Sequence, residues 1–409
     1  MNYQIIDGGV TAPKGFQAAS AAAKIKKNGQ KDMALLYSCT PCKAAGTFTT
    51  NIVKAAPVKW DHELVRQQPH AQAVVCNSGV ANACTGQEGM NACRETAREA
   101  GKLLNIPETS VLVASTGVIG QQIPIEQIKE GLPLLVKELS DSREAATQAA
   151  QAIMTTDTVK KEAAVSFSLE GTPVHIGGMC KGSGMIHPNM CTMLSFITTD
   201  ANISKELLQK ALSQTVADTY NMVSVDGDTS TNDTVLLLAN GLAGNPEITE
   251  ENQNYQDFLE ALRYVNETLA KSIAADGEGC TALLETKIIG ASQKSQARTL
   301  AKSIISSNLT KAAIYGHDAN WGRILCAMGY SGAEFDPEKV DLFIESAAGK
   351  LQLMKDGTAA AYSEDVATVI LSEKTVTITA DLKMGSQQAT AWGCDLTHEY
   401  ININADYRS

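Results

Sequence analysis

A glycine-containing stretch of the chain leads into a hydroxyl residue that begins an apolar segment. Its sequence is Lys181-Gly-Ser-Gly-Met-Ile-His-Pro-Asn-Met-Cys-Thr192-Met-Leu. Two glycines permit backbone geometries that are closed to other residues, and a proline stiffens the approach to Thr192. One interpretation is a threonine that only begins a strand after a loop. The other is a self-cleaving site, in which the Thr192 hydroxyl attacks the Cys191 carbonyl. The new α-amine, whose pKa is about 8 when free, then acts as general base for that hydroxyl.

A second stretch offers the hydrogen-bond donors that such a nucleophile requires. Ser115-Thr116-Gly117-Val-Ile-Gly120 follows the apolar segment 110–114 and supplies closely spaced backbone N–H groups and a hydroxyl. Donors of this kind stabilise the negative oxygen of a tetrahedral intermediate. An ordinary turn after a strand would have the same composition, so the spacing alone leaves both interpretations open.

Other catalytic motifs are incomplete in this chain. Asp226-Gly-Asp228 begins like a calcium loop but lacks the glycine at the sixth place and the carboxylate at the twelfth. Neither a phosphate loop nor a Gly-x-Ser-x-Gly elbow is complete, and the six histidines show no metal-binding pairs, so no metal is expected. Cys39-Thr-Pro-Cys42 has redox spacing, against which buried thiols are the simpler interpretation. The remaining charged candidates are interpreted as structural loop residues: Asp226, Asp228, Asp233 and Arg323.

Composition places these motifs in an acidic globular chain. The 409 residues are 44% hydrophobic and 19% charged, and 34 Lys+Arg against 45 Asp+Glu give a net charge of −11. This charge argues against general binding to nucleic acids or anionic membranes. No apolar run reaches the ~18 residues of a membrane span, and the first residues do not resemble a secretory signal. We therefore expect a cytoplasmic protein whose ten cysteines are reduced.

The apolar periodicity predicts strands and helices in blocks rather than in regular alternation. The expected strands are 71–76, 110–114, 164–169, 174–176, 193–199, 366–371 and 375–379. The expected helices are 89–104, 141–154 with Asp141 as its cap, 206–217 and 259–273. Blocks of this kind predict an α+β layered sandwich with a smaller C-terminal unit that begins near residue 280.

The chain resembles the ornithine acetyltransferase family, the glutamate N-acetyltransferases of arginine biosynthesis. The landmarks occur in order along the chain: Asn77-Ser-Gly, Asn82-Ala-Cys-Thr-Gly86, Ser115 to Gly120, Lys181 to Leu194, Asp276-Gly-Glu-Gly279, Gly316-His-Asp-Ala-Asn-Trp-Gly322 and Ile403-Asn-Ala-Asp-Tyr-Arg-Ser409. Three positions depart from the family pattern. Cys191 stands where the family usually has alanine, Val80 where it commonly has asparagine, and Ser409 where a terminal threonine is usual.

The resemblance implies a four-layer αββα sandwich of the aminopeptidase and ornithine acetyltransferase type. The sandwich would occupy residues 1–280, and a smaller C-terminal α/β domain would occupy 281–409. Self-cleavage between residues 191 and 192 would give the chains 1–191 and 192–409, which would assemble as a heterotetramer of two copies of each.

The resemblance also implies a ping-pong reaction that needs no cofactor. Thr192 would take acetyl from N2-acetyl-L-ornithine and pass it to L-glutamate, with acetyl-CoA as a possible second donor. Thr116 and Gly117 would stabilise the oxyanion. The implied substrate-binding residues are Thr155, Lys181, Thr192, Glu278, Asn404 and Ser409. A self-cleaving threonine aminopeptidase or amidase, with water as acceptor, is the alternative enzyme, and an amino-acid-binding scaffold without turnover is the non-enzymatic one.

Overall fold

The computed structural model describes residues 3–26, 29–187 and 193–406 of the chain. Within these ranges the chain forms sixteen strands and eleven α-helices. The strands are β1 (Tyr3–Ile5), β2 (Phe16–Ala21), β3 (Met33–Phe48), β4 (Ala71–Val80), β5 (Val111–Val118), β6 (Lys161–Leu169), β7 (Thr172–Lys181), β8 (Leu194–Thr199), β9 (Val223–Ser224), β10 (Thr234–Ala239), β11 (Leu283–Ala291), β12 (Asp341–Ser346), β13 (Gly349–Lys355), β14 (Thr358–Ala359), β15 (Thr375–Asp381) and β16 (Gln387–Cys394).

The helices lie in two groups, one before and one after the middle of the chain. They are α1 (Ala56–Gln67), α2 (Gly86–Leu104), α3 (Ile125–Lys137), α4 (Arg143–Ala152), α5 (Lys205–Asp218), α6 (Gln253–Ala275), α7 (Lys294–Ser306), α8 (Asn308–Tyr315), α9 (Trp321–Gly329), α10 (Glu364–Leu371) and α11 (His398–Asp406). None of the helices that the structure describes is both long and apolar enough to cross a membrane.

One long strand joins the two halves of the first sheet. The strand order is β1-β6-β7-β8-β10-β3-β4-β5, and β2 also pairs with β3. The first part of β3, from Met33 to Tyr37, pairs with β2 and β4, whereas Lys43 to Phe48 pairs with β10. Because β3 takes part in both halves, the sheet can fold over on itself into two β layers.

The apolar side chains alternate between the two faces of the central strands. In β10, Leu236 and Leu238 pack with residues of β2, β3 and β4, whereas Val235 and Leu237 pack with α5 and α6. Successive side chains of a strand point to opposite faces, so a strand covered on both faces is apolar throughout. Helices α1, α2 and α3 cover the outer face of the β2, β4 and β5 half. The layers are therefore helix, sheet, sheet and helix, which confirms the predicted αββα sandwich.

A second sheet gathers the strands of the last third of the chain. Its order is β14-β13-β12-β15-β11-β16-β9, and α7 packs on β11 and β16. Its strand β9, only two residues long, comes from the predicted domain 1–280 and pairs in parallel with β16. The division into domains 1–280 and 281–409 stays a prediction, and β9 ties the two parts together.

Two local predictions were wrong. The segment 366–371, expected as a strand, lies in helix α10, which Ser363 caps through its side chain and whose buried residues Ala367, Ile370 and Leu371 have helical spacing. The expected cap of α4 was Asp141, but the Ser142 hydroxyl accepts the hydrogen bond from the Ala145 N–H at 3.1 Å. In both helices a serine at the N-cap position decides where the helix begins.

The pair Cys39 and Cys42 lies within strand β3. Cys42 is buried, and burial raises the pKa of its thiol to about 12. A thiol of this pKa is protonated at neutral pH and is a poor nucleophile. Cys42 is therefore the buried thiol of the simpler interpretation, whereas Cys39 is exposed on the same strand.

Candidate active site

A single pocket collects side chains that lie far apart in the sequence. It is lined by six of the residues singled out from the sequence: Thr116, Gly117, Thr155, Lys181, Glu278 and Asn404. They come from the ends of strands β5 and β7, the segment after α4, the turn after α6, and helix α11. Thr192, Cys191 and Ser409 lie outside the described residues, so their roles, like those of the other six, stay predictions.

The oxyanion candidates Thr116 and Gly117 lie where β5 runs in parallel beside β4. Gly117 pairs with Gly79 in the strand register and has a φ of +132°. A Cβ atom on Gly117 would lie 2.2 Å from the carbonyl carbon of Gly79, so a larger residue requires a backbone shift. The two strands can approach this closely because Gly117 has no side chain on the side that faces Gly79, and this fixes the backbone at the wall of the pocket.

Lys181 is buried at the end of β7 and aims its ammonium group at two hydroxyl groups. Its Nζ donates to Thr155 Oγ1 at 2.7 Å and to Thr116 Oγ1 at 3.3 Å. Since the Thr116 hydroxyl accepts from Lys181, its own proton can be directed into the pocket. Burial, opposed in part by Asp157, lowers the pKa of the Lys181 ammonium below its usual value.

Glu278 and Asn404 close the other side of the pocket. The Asn404 amide nitrogen donates to Glu278 Oε2 at 2.8 Å, so helix α11 near the end of the chain folds back over the site. Gly184 lies against the Glu278 carboxyl group, where a Cβ atom would be only 2.2 Å away. The Glu278 N–H also donates to the Ser183 carbonyl at 3.0 Å, which holds this turn against the glycine-containing stretch.

The described chain resumes beside this pocket at Met193. Its N–H donates to Asp233 Oδ1 at 3.1 Å, and Asp233 is fully buried. Burial raises the pKa of the Asp233 carboxyl group well above its usual value. Asp233 was interpreted as a structural residue, and it does hold the backbone of the residue that follows Thr192.

Comparison with known proteins identifies the family. The model of the ArgJ family matches residues 17–409. The chain belongs to the ArgJ family. It is 52% identical to the arginine biosynthesis bifunctional protein ArgJ of Thermotoga neapolitana, over 97% of this chain and 99% of that one. It is also 52% identical to the protein of the same name from Symbiobacterium thermophilum, over 98% of this chain and 99% of that one.

A solved structure of this family has the same fold in the part that it covers. The crystal structure of the ArgJ protein of Bacillus halodurans is 48% identical in sequence and superposes with a TM-score of 0.51. The match includes 53% of the present chain and 100% of the B. halodurans chain. The resemblance stated from the motifs is thus confirmed. With it the prediction of an ArgJ acyltransferase of arginine biosynthesis is confirmed as well.

A buried ion network beneath the ArgJ pocket escaped the sequence analysis. Asp157 Oδ1 lies 2.7 Å from the Lys161 ammonium and accepts the Gly182 N–H at 2.7 Å, and Lys161 also lies 2.6 Å from Asp276. Asp157 Oδ2 is 3.9 Å from the Lys181 ammonium. Burial alone would raise the pKa of Asp157, but Lys181 and Lys161 outweigh it and lower this pKa to about 2.

Asn232 is a second residue that the sequence analysis missed. It is buried, it lines the pocket, and its side-chain amide donates to the carbonyl groups of Ala81 at 2.6 Å and Ser115 at 2.8 Å. It therefore ties the ends of β4 and β5 to the loop before β10. The only signal in the sequence is a polar run, Ser230-Thr-Asn-Asp233, directly before an apolar strand.

Proposed function

We propose that this ArgJ protein transfers acetyl from N2-acetyl-L-ornithine to L-glutamate through an acetyl ester on Thr192. The observation that supports this most directly is the single pocket in which Thr116, Lys181, Glu278 and Asn404 meet. The described chain resumes beside that pocket at Met193, the residue after the proposed nucleophile. An exchange between two amides through an ester needs a nucleophile, an oxyanion site and charged partners for the substrates, and no cofactor.

The reaction proceeds in two balanced half-reactions. The Thr192 hydroxyl attacks the acetyl carbonyl while its own α-amine takes the proton, and the oxyanion that forms is stabilised by the Thr116 hydroxyl and the Gly117 backbone. The C–N bond then breaks, the amine proton passes to the leaving nitrogen, and ornithine departs. The α-amine of L-glutamate attacks the ester by the same route, which releases N-acetyl-L-glutamate and restores Thr192.

The charges of the pocket suit amino-acid substrates. The Lys181 ammonium can pair with the α-carboxylate that both substrates carry. Glu278 can pair with the cationic side chain of ornithine. L-Glutamate has a carboxylate at this end, to which the amide of Asn404 beside Glu278 can donate.

Self-cleavage before Thr192 would activate this nucleophile. Residues 192–409, which such a cut would release, form 53% of this chain. The B. halodurans crystal chain matches an equal share of this chain, 53%, and is itself matched over its whole length. This agreement in length supports a cut at the proposed position. We include in the proposal that both fragments remain together as a heterotetramer and that the enzyme is cytoplasmic.

The donor of acetyl groups is a separate part of the proposal. Relatives of this chain carry the description "bifunctional", and we propose that acetyl-CoA serves as a second donor to Thr192. The competing activity is that of an aminopeptidase or amidase, in which water replaces L-glutamate as the acceptor.

The test combines intact mass and acetyl transfer. Wild-type protein should give two fragments, the larger beginning Thr192-Met193, and should convert N2-acetyl-L-ornithine only when L-glutamate is present. Thr192→Ala should remain one chain of 43.4 kDa and be inactive. Thr192→Ser, which keeps the hydroxyl, should retain cleavage. Release of free acetate without L-glutamate would instead support the amidase, and acetyl transfer by uncut Thr192→Ala would contradict the nucleophile.

A further inference from the structure

A second cleft, here called the basic groove, lies along helix α1. Its lining includes Phe48, Lys54, Lys59, His62, Glu63 and Arg66. Residues 59, 62 and 66 fall on one face of α1 because a helix repeats every 3.6 residues. The groove encloses about 660 Å³, which is within the range of small-molecule sites.

The charge of the basic groove is opposite to that of the whole protein. Lys54, Lys59 and Arg66 face a single acid, Glu63, while the chain carries a net charge of −11. Among the described residues, no carboxylate lies within ion-pair distance of these three cations. Elsewhere exposed lysines do pair, as Lys210 does with Glu251 at 2.5 Å. Unpaired cations that converge in a cleft favour a ligand with concentrated negative charge.

An aromatic pair forms one end of the basic groove. The rings of Phe48 and His62 are 5.5 Å apart and nearly perpendicular. Partial burial, together with Arg66 and Lys54, lowers the pKa of His62, which favours its neutral ring. A neutral, flat surface beside cations suits a heterocyclic base that carries phosphate groups.

Only a thin apolar wall separates the basic groove from the catalytic pocket. Val58 lines the groove, Ala81 lines the pocket, and both belong to one small cluster of buried apolar side chains. The segment leading into α1 is also tied to the pocket wall, because the Ala55 N–H donates to the Thr231 carbonyl at 3.0 Å. The Asn51 side chain likewise donates to the Thr229 carbonyl at 2.9 Å. An extended ligand could therefore lie in the groove and reach over the wall to the pocket.

We propose that the basic groove binds the phosphorylated nucleotide end of an acyl thioester donor, so that the acyl end reaches the catalytic pocket. This inference rests on the proposed use of acetyl-CoA by the same enzyme. N2-acetyl-L-ornithine carries no phosphate group, so the groove serves one donor and leaves the other unaffected.

Direct binding tests the groove independently of turnover. The probes are adenosine 3′,5′-bisphosphate and inorganic phosphate, titrated calorimetrically into the wild-type enzyme, a Lys59→Gln/Arg66→Gln variant and a control. The control is Arg94→Gln/Lys137→Gln, which removes the same charge from two exposed residues of α2 and α3. The bisphosphate should bind at least tenfold more weakly to the groove variant and unchanged to the control. No binding by the wild type, or equal binding by both variants, would overturn the proposal, as would phosphate binding as tight as the bisphosphate.

Kinetics with the two donors identifies the ligand. In the groove variant the KM for acetyl-CoA should rise at least tenfold, while kcat and the reaction with N2-acetyl-L-ornithine stay unchanged. A wild-type enzyme that uses N2-acetyl-L-ornithine but not acetyl-CoA would overturn the inference and leave the exchange reaction intact. A wild-type enzyme that lacks the exchange reaction would instead refute the proposed function, and bisphosphate binding would still decide whether the groove recognises phosphate.

Discussion

The side-chain amide of Asn404 donates a 2.8 Å hydrogen bond to the carboxylate of Glu278, which lies 126 residues earlier in the chain. This contact brings helix α11 to the mouth of the catalytic pocket. Helix α11 therefore forms part of the pocket wall through Asn404, and substitutions there should affect substrate binding.

Replacing Asn404 by alanine should weaken substrate binding. The change removes the donor proposed for the side-chain carboxylate of L-glutamate. Loss of a hydrogen bond to a charged group costs about 1.5–3 kcal/mol, so we expect KM for L-glutamate to rise about tenfold or more. Steady-state kinetics checks this expectation. Asn402→Ala is the matched control, because the Asn402 amide lies on the same helix and contacts Glu399 instead. Equal KM values for the two variants would contradict a role for Asn404.

Asp157→Asn should destabilise the fold in a pH-dependent way. The folded-state pKa of Asp157 is about 2, below the ordinary 3.8, so the ionised carboxylate stabilises the folded chain above about pH 4. This contribution, roughly 2 kcal/mol, is lost as pH falls from about 4 to 2. The variant also leaves the buried Lys161 and Lys181 short of a counter-charge, so we expect a loss of about 3 kcal/mol at pH 7.

Urea unfolding followed by circular dichroism measures this loss. The difference between wild type and Asp157→Asn should be large at pH 7 and smaller at pH 2.5. Asp141→Asn, at an exposed position before α4, is the control and should change neither value. A difference that does not depend on pH would show that the charge of Asp157 contributes nothing.

The lowered pKa of Lys181 should appear in the binding of carboxylates. Only the protonated ammonium attracts a carboxylate, so affinity should fall as pH rises through a value below that of an ordinary lysine. Glutarate, a dicarboxylate without an amine, is a suitable competitor because none of its groups titrates in this range. Its inhibition constant should rise with pH before an ordinary lysine begins to lose its proton. In Asp157→Asn the rise should begin at a lower pH, because the opposing negative charge is gone; a flat profile in both proteins would contradict this.

Gly117→Ala should reduce activity far more than the same change at a neighbouring glycine. The new Cβ would lie 2.2 Å from the backbone of Gly79, so the strand ends must separate and the oxyanion donors move. Since a single such donor is worth about 3 kcal/mol, we expect kcat to fall by about a hundredfold or more. Gly120→Ala is the control, because Gly120 also has a positive φ but has no atom within 4 Å of its Cβ position. Similar kcat values in the two variants would show that the Gly79 contact is unimportant.

Most individual strands and helices could be predicted from the sequence because their signals are local, whereas the four-layer order was implied by the family resemblance. Apolar runs such as Leu194 to Thr199 and the helical spacing before Asp276 each report a single element. Helix α10 was mistaken for a strand because Val366 and Val369, which favour strands, lie on its exposed face. The cap and the buried Ile370 outweigh that preference.

The pocket was predictable only in part. Thr116, Lys181 and Glu278 lie in motifs shared with the family, so the resemblance could assign them roles. Asp157 and Lys161 carry no such motif, and the ion pair between Lys161 and Asp276 joins residues more than a hundred positions apart. Burial of these charges arises only when the segment after α4 packs against the turn after α6, and no local pattern reports that packing.

The interleaving of strands β7, β8, β10 and β3 has a consequence for how the enzyme is made. A cut before Thr192 assigns β8 and β10 to one fragment, while β7 and β3, on either side of them, belong to the other. The uncut chain can assemble this sheet as a single molecule, with a rate that does not depend on concentration. Once cut and denatured, the same sheet has to form from two separate molecules. Dilution should then slow the association of the two fragments. The cleaved enzyme should therefore refold poorly after denaturation, although the uncut chain folds readily.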